Sequence, residues 1–282
     1  MKKVFIAAVA ALLMIGSTFQ ADAQENYNTR KIQSTYFKVK GGYGWGVAKD
    51  GYYIDMGQGS SVDGVQEQIF TSLGGGAIAG IAVGHFFTDH FGAELDFTYL
   101  KGTKQNVQNV SVGGVTYQSA DAYTNQYRLA PTIIMSTGNS KTFSLYTKVG
   151  FVLPMGGYAM VESSAVDPNT SAKMEIDQKI NGDFSIGFTG VLGVQYRIND
   201  RFAAFVELEG VYLNIKRQKS TIEKFHVNGN DQLDNFTAIT GKPIEVEYVD
   251  SVDSNNPDPS KALKTTSPYS KQGFNIGITY FL

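Results

Sequence analysis

The sequence predicts an all-β fold, an eight-stranded antiparallel up-and-down barrel that crosses a membrane on its strands. Three observations carry that expectation. Eight segments alternate between large apolar residues and small or charged ones, the small-residue side is crowded with glycine, and the connections between segments alternate between long and short. Period-two alternation marks a strand whose two faces meet different surroundings. A soluble sandwich would alternate too, but its polar face would favour Lys, Thr and Glu over glycine. Small residues suit a narrow interior where side chains from facing strands converge.

The 282-residue chain opens with Lys2 and Lys3, an apolar run from Val4 to Gly16, and the small-residue box Ala21-Asp22-Ala23. That order describes a secretory signal cut before Gln24. Residues 1–23 are thus expected to be a cleaved signal peptide, 24–34 a periplasmic N-terminal segment, and 35–282 the barrel. The apolar run is too short to span a bilayer as a helix, and no later stretch of about 18 apolar residues follows. Export lowers the formal charge from −2 to −3, with 22 basic and 25 acidic residues left. Such a balance gives no basic face for nucleic acid. The absence of cysteine excludes a disulfide scaffold.

The segments follow in order. In 35–46, Phe37, Val39, Tyr43 and Trp45 oppose Lys38, Lys40, Gly42 and Gly44. In 76–87, Ala79, Ile81, Val83 and Phe87 oppose Gly80, Ala82 and Gly84. In 91–100, Phe91, Leu95, Phe97 and Tyr99 oppose Gly92, Glu94, Asp96 and Thr98. In 127–135, Leu129, Ile133 and Met135 oppose Arg128 and Thr132, with Pro131 expected to force a bulge or the local loss of a hydrogen bond. In 142–153, Phe143, Leu145, Val149 and Phe151 oppose Ser144, Lys148 and Gly150, and Pro154 is expected near the outer end of that strand. In 184–197, the even residues from Phe184 to Tyr196 oppose Thr189, Gly193, Gln195 and Arg197. In 202–212, Phe202, Val206, Leu208 and Tyr212 oppose Glu207 and Glu209. In 274–282, Phe274, Ile276, Ile278, Tyr280 and Leu282 oppose Asn275, Gly277, Thr279 and Phe281.

Short turns join the second to the third segment (88–91), the fourth to the fifth (136–141) and the sixth to the seventh (198–201). Long connections cover roughly 47–74, 103–121, 158–180 and 217–270. That segregation places both termini on the periplasmic side of an outer membrane. Two short turns also resemble each other: "FTDHFGAEL" (87–95) and "INDRFAAFVEL" (198–208) share an Asp, a basic residue or histidine, and an outward Phe. In the last connection, "TIEKFHV" and "PIEVEYVD" carry enough β-branched residues to extend strands above the membrane, and 251–260 is a tip rich in Asp, Asn and Pro. A ten-stranded barrel with an extra hairpin there is the alternative architecture.

With apolar residues turned to lipid, the inward ionisable residues are Lys38, Lys40, Arg128 and Lys148 against Glu94, Asp96, Glu207 and Glu209, with Arg197 near the periplasmic end. An eight-stranded interior is just wide enough for side chains. Charges confined there must pair, which predicts a cross-lumen salt-bridge network. A charged pore lining is the rival, but ion selection would favour an excess of one sign. Glu94 and Asp96 could also be read as a carboxylate dyad, though no nucleophile accompanies them. His85 is placed on the lipid face, His90 in a turn and His226 in an outer loop near Asp231 and Asp234. No Ser-His-Asp order, metal spacing or phosphate loop appears, so neither enzymatic activity nor a metal or cofactor is expected.

From Thr35 to Leu282 the chain resembles the small eight-stranded outer-membrane β-barrel proteins, a porin-like class that includes the OmpA transmembrane domain, OmpX and OmpW. The resemblance rests most specifically on the last strand. Family members end in an alternating strand with a terminal aromatic, an assembly signal read by the barrel-assembly machinery. Here Phe274, Ile276, Ile278 and Tyr280 keep the alternation, while the last residue is Leu282. The resemblance implies a Gram-negative outer-membrane location and contacts with membrane lipids and lipopolysaccharide. It implies handling by periplasmic chaperones during biogenesis, and a monomer. It further implies a structural or porin-like role with loops at the cell surface, or alternatively a narrow conduit for small, apolar solutes.

Overall fold

The computed structural model describes residues 35–47, 60–62, 65–67, 71–113, 115–138, 142–167 and 170–282. The expected signal peptide (1–23), the segment 24–34 and most of the 47–74 connection lie outside these residues.

Eight strands form a closed antiparallel barrel: β1 (Thr35–Gly46), β2 (Gly76–Phe86), β3 (Phe91–Gly102), β4 (Val115–Ser136), β5 (Phe143–Val166), β6 (Gly187–Arg197), β7 (Phe202–Tyr212) and β8 (Lys271–Phe281). Each pairs with its successor, and β8 returns to β1 with Phe37 opposite Tyr280 and Tyr43 opposite Phe274. Closure leaves no strand edge in hydrocarbon, where each unpaired backbone group would cost several kcal/mol. The alternation sorts as the sequence dictates. Along β6, Phe188, Leu192, Val194 and Tyr196 face outward while Thr189, Val191, Gln195 and Arg197 are buried. Outward Phe37, Ile81, Phe97, Phe151, Leu208 and Ile276 belong to an exposed apolar belt, tolerable against lipid and not against water.

Two turns are built alike. In one, the Phe87 and Thr88 amides both donate to the Phe91 carbonyl; in the other, those of Ile198 and Asn199 donate to Phe202. The Thr88 hydroxyl accepts from the His90 and Phe91 amides, as the Asn199 carboxamide oxygen does from Arg201 and Phe202. The turn between β4 and β5 lies partly outside the described residues.

The outer end differs from the expected loops. β4 and β5 run for 22 and 24 residues, roughly 73–79 Å at about 3.3 Å per residue, against an apolar band of about 25 Å. Much of what length and polarity mark as loop is therefore sheet standing above the membrane. Gln105–Val112 folds back on β4. Lys173–Gly182 pairs with upper β5 and with Asn214–Val227, which pairs in turn with Thr266–Pro268 and Glu245–Val249. These strands attach above the barrel and do not enlarge it to ten.

At Pro131 the β4–β5 ladder is interrupted, with pairing at Leu129–Leu153 and again at Thr132–Gly150; Pro131 still stands opposite Leu95 on β3. Pro154 is not near a strand end, since β5 continues to Val166. A register shift follows it instead, between Tyr127 and Arg128 on the facing strand.

Candidate functional site

The lumen holds buried side chains in three layers. At the periplasmic end Tyr36, Phe86, Ile134, Tyr146 and Phe281 pack together, with the Tyr36 ring centre 5.6 Å from Phe86 and 5.8 Å from Phe281. Four of the large lumenal rings face a glycine directly across the ladder: Tyr36–Gly84, Phe86–Gly92, Tyr146–Gly193 and Phe205–Gly277, whereas Phe281 faces Tyr36. A Cβ on Gly84 or Gly193 would overlap the Tyr36 or Tyr146 ring, and one on Gly277 would stand 2.6 Å from Phe205 Cζ. Here glycine makes room for aromatic rings, a finer reason than the narrow interior alone.

Above the rings lies the charge layer. Lys148 Nζ stands 2.8 Å from Glu94 Oε1 and 2.7 Å from Glu207 Oε1. Lys38 Nζ stands 3.0 Å from Glu94 Oε2 and 3.5 Å from Glu207 Oε1. Two bases and two acids thus form one closed cluster. The layers are stitched together by phenols, since Tyr36 donates to Glu94 and Tyr146 to Glu207, both at 2.8 Å. The Lys38 ammonium also lies 4.6 Å from the Tyr146 ring centre and 4.9 Å from that of Phe205, within cation–π range. Outward from this cluster, Lys40 pairs with Asp96, and Lys271 pairs with Glu209. Asn275 donates to Glu209 at 3.2 Å.

A third, apolar layer closes the outer end. Val107, Val152, Val161, Leu213, Ile215 and Tyr269 belong to one buried cluster beneath the extramembrane sheet.

Of the nine lumen charges read from the sequence, all are inward, yet not all join the clusters. Arg128 donates from Nε to Gln126 Oε1 at 2.5 Å and makes no ion pair among the described residues. Arg197 lies with its guanidinium carbon 4.0 Å from the Phe281 ring centre. Lys271 is an addition. It sits in phase with Gly273 and Asn275, so extending the alternation three residues upstream of Phe274 would have found it. The interior therefore holds Lys38, Lys40, Lys148, Lys271 and Arg128 against four acids, with Arg197 as a sixth base beside Phe281. Among the described residues the expected four bases against four acids, or five with Arg197, become five against four, or six with Arg197.

In the last strand Phe274, Ile276, Ile278 and Leu282 are exposed, Tyr280 is half-buried, and Phe281 is buried inward. His85 faces outward and bonds Thr35 Oγ1 at 2.9 Å, His90 Nδ1 lies 3.0 Å from the Ser136 carbonyl, and His226 pairs opposite Asp231. Among the described residues no group of three or more His, Asp or Glu could hold a metal ion.

Among the described residues, the wall opens at a seam between β5 and β6. β5 pairs with β6 as far as Val152–Gly187 and meets Lys173–Gly182 only from Ala159–Ile180 onward. Between these points Pro154, Gly156, Gly157 and Tyr158 face Asp183 and Phe184 across a cavity of about 220 Å3, with Tyr269 and Gln126 also lining it. Gly156 and Gly157 take φ of 146° and 124°, a left-handed backbone that a side chain would strain.

No curated protein matches this sequence. Among solved structures, Neisserial surface protein A is similar at 10% identity, with 88% of this chain and 97% of that chain covered and a TM-score of 0.41. OprG from Pseudomonas aeruginosa is similar at 15% identity, with 89% and 99% covered and a TM-score of 0.40. CarO2 from Acinetobacter baumannii is similar at 10% identity, with 88% and 99% covered and a TM-score of 0.35. The family model described as outer membrane protein beta-barrel domain matches residues 7–241, most of the chain. With its closed eight-stranded wall and lipid-facing belt, the chain belongs to the outer membrane β-barrel protein family.

Proposed function

We propose that this protein is a closed structural barrel of the outer membrane, without enzymatic activity, that carries an extended β-sheet at the cell surface. The observation supporting this reading is the side-chain filling of the lumen. A ring layer, a charge layer and an apolar layer follow one another, and Lys148 and Lys38 each sit between Glu94 and Glu207. Ion passage would require these charges to separate inside a low-dielectric interior, and breaking one buried pair costs about 3–5 kcal/mol. The same pairing speaks against a carboxylate dyad, because Glu94 and Asp96 are each committed to lysines and are buried.

Lipids and lipopolysaccharide would meet the outward belt, and the exposed alternation of Phe274, Ile276 and Ile278 suits recognition by the barrel-assembly machinery, with periplasmic chaperones guarding the unfolded chain. A cleaved signal over residues 1–23 would deliver it, and the closed wall needs no second copy.

Single-channel recording of the refolded mature chain in a planar bilayer tests the reading. A folded, inserted protein that stays silent is expected. Steady openings that change when Glu94 and Asp96 are made neutral would overturn it.

One observation favours a second reading, a conduit for small apolar solutes. The seam between β5 and β6 opens beside Met155, Phe184 and Ile186, all exposed apolar residues, so a solute could enter the wall from the membrane. Uptake by vesicles containing the protein, lost when Phe184→Trp narrows the seam, would replace the structural reading.

A further inference from the structure

We propose that the lipid face of the barrel seats one acyl chain of lipid A in a trough across β6, β7 and β8. The trough follows from side-chain size. Gly190, Gly210 and Gln272 stand side by side on the three strands, on the outward side of the alternation. Toward the outer end, Phe188 and Tyr212 face each other as one ridge. Toward the periplasm, Leu192, Leu208 and Phe274 form a second, and all five side chains are exposed. A Cβ on Gly190 would meet nothing within 4 Å, and one on Gly210 only the Gly190 carbonyl at 3.9 Å. No neighbouring side chain covers the floor. The space holds about 390 Å3 and runs past Gln272 to Ser270 and Val47, against about 220 Å3 at the seam.

Continuity with the apolar belt decides the occupant. A groove left unfilled in hydrocarbon forfeits the dispersion contacts of its whole lining, and the neighbouring material there is lipid. Gln272 selects which lipid. Its side chain is exposed and bonds no described residue, and Trp45 stands opposite it on β1. Trp and Tyr collect where acyl chains meet head groups, so Trp45 and Tyr212 set the carboxamide at the level of the chain linkages. A carboxamide both donates and accepts. It matches the amide that joins an acyl chain to the lipid A sugar in both directions, whereas an ester linkage offers acceptors only. The inference rests on the reading that lipids and lipopolysaccharide meet the outward belt.

Native mass spectrometry of the refolded mature chain in detergent tests it, with lipid A or phosphatidylethanolamine as the added probe. The unaltered protein is expected to retain one lipid A, bound about tenfold more tightly than the phospholipid, the weight of one hydrogen bond. Gln272→Leu should bring lipid A down to the phospholipid. Gly190→Leu combined with Gly210→Leu fills the trough and should abolish the retention. Gly41→Leu, on the outward face of β1, should leave it unchanged. The comparison of the two lipids on the unaltered protein does not depend on how any variant folds. Equal retention of both lipids, or lipid A undiminished by Gln272→Leu or by the paired glycine substitutions, would overturn the site and leave lipid at the belt. An equal loss in Gly41→Leu would do the same. Retention of neither lipid would overturn the belt reading and the site together.

Discussion

Lys148 and Glu207 meet at 2.7 Å across the barrel interior, and neither side chain is more than 2% exposed. Their strands, β5 and β7, are two apart in the wall, so the bond bridges the lumen and does not run along a ladder. The same ammonium reaches Glu94 on β3, which ties opposite sides of the barrel through one atom.

Lys148→Met leaves two buried carboxylates sharing Lys38 alone, and should cost about 3–5 kcal/mol. Urea unfolding of the refolded protein in detergent measures it. Adding Glu207→Gln to that variant should recover part of the loss, giving a coupling of about 0.5–3 kcal/mol. Strictly additive losses would show that the pair is not coupled.

Gly193→Ala places a methyl group against the Tyr146 ring, and overpacking of this kind costs about 1–3 kcal/mol. Gly190→Ala, on the outward face of the same strand with nothing within 4 Å of the added carbon, should leave the midpoint unchanged. If both variants unfold alike, the ring is not seated over Gly193.

In the extramembrane sheet, the Lys173 and Lys224 ammonium groups hold the Glu175 carboxyl down to about 2, at 2.6 and 3.1 Å. Because folding lowers this pKa, the pairing stabilises the sheet above the ordinary value of 4.5 and is lost as pH falls toward 2. Carbon-13 titration of the Glu175 carboxyl should give that low midpoint, and Lys224→Met should move it up. A midpoint near 4.5 in the unaltered protein would contradict the pairing.

Inside the membrane the pattern was legible because lipid enforces it. Val39, Val83, Leu95 and Ile278 could not be polar, so the intervening residues had to be lumenal. Tyr36, Phe86, Tyr146 and Phe205 escaped notice because an aromatic residue suits either face, and only register reveals the glycine opposite each one. The extramembrane strands were harder. Lys173–Gly182, "KMEIDQKING", has no lipid to face, so its charges mask the strand. Nothing local to Arg128 distinguishes it from Lys148. The difference lies in which acids other strands have already committed.

The two matched turns predict matched losses. Thr88→Ala and Asn199→Ala each strip the acceptor from two backbone amides, and each should cost about 1–2 kcal/mol by analogy with helix caps. Unfolding midpoints of the two variants should fall together. A large loss in one and none in the other would mean that the turns are alike in sequence only.

Those turns also lie half a revolution apart in the ring of strands. Laying Phe91 on Phe202 lays Asp96 on Glu207. Followed back through the registers, it lays Ala82 on Gly193, Gly80 on Val191 and Lys40 on Lys148. The ion pairs Lys40–Asp96 and Lys148–Glu207 are therefore equivalents under an approximate twofold axis along the barrel, each joining the first strand of a four-stranded half to its third. The wall behaves as two copies of one half-barrel, joined at their edges by the β4–β5 and β8–β1 ladders and through the lumen by the contacts that cross the axis, Lys148–Glu94 and Lys38–Glu207.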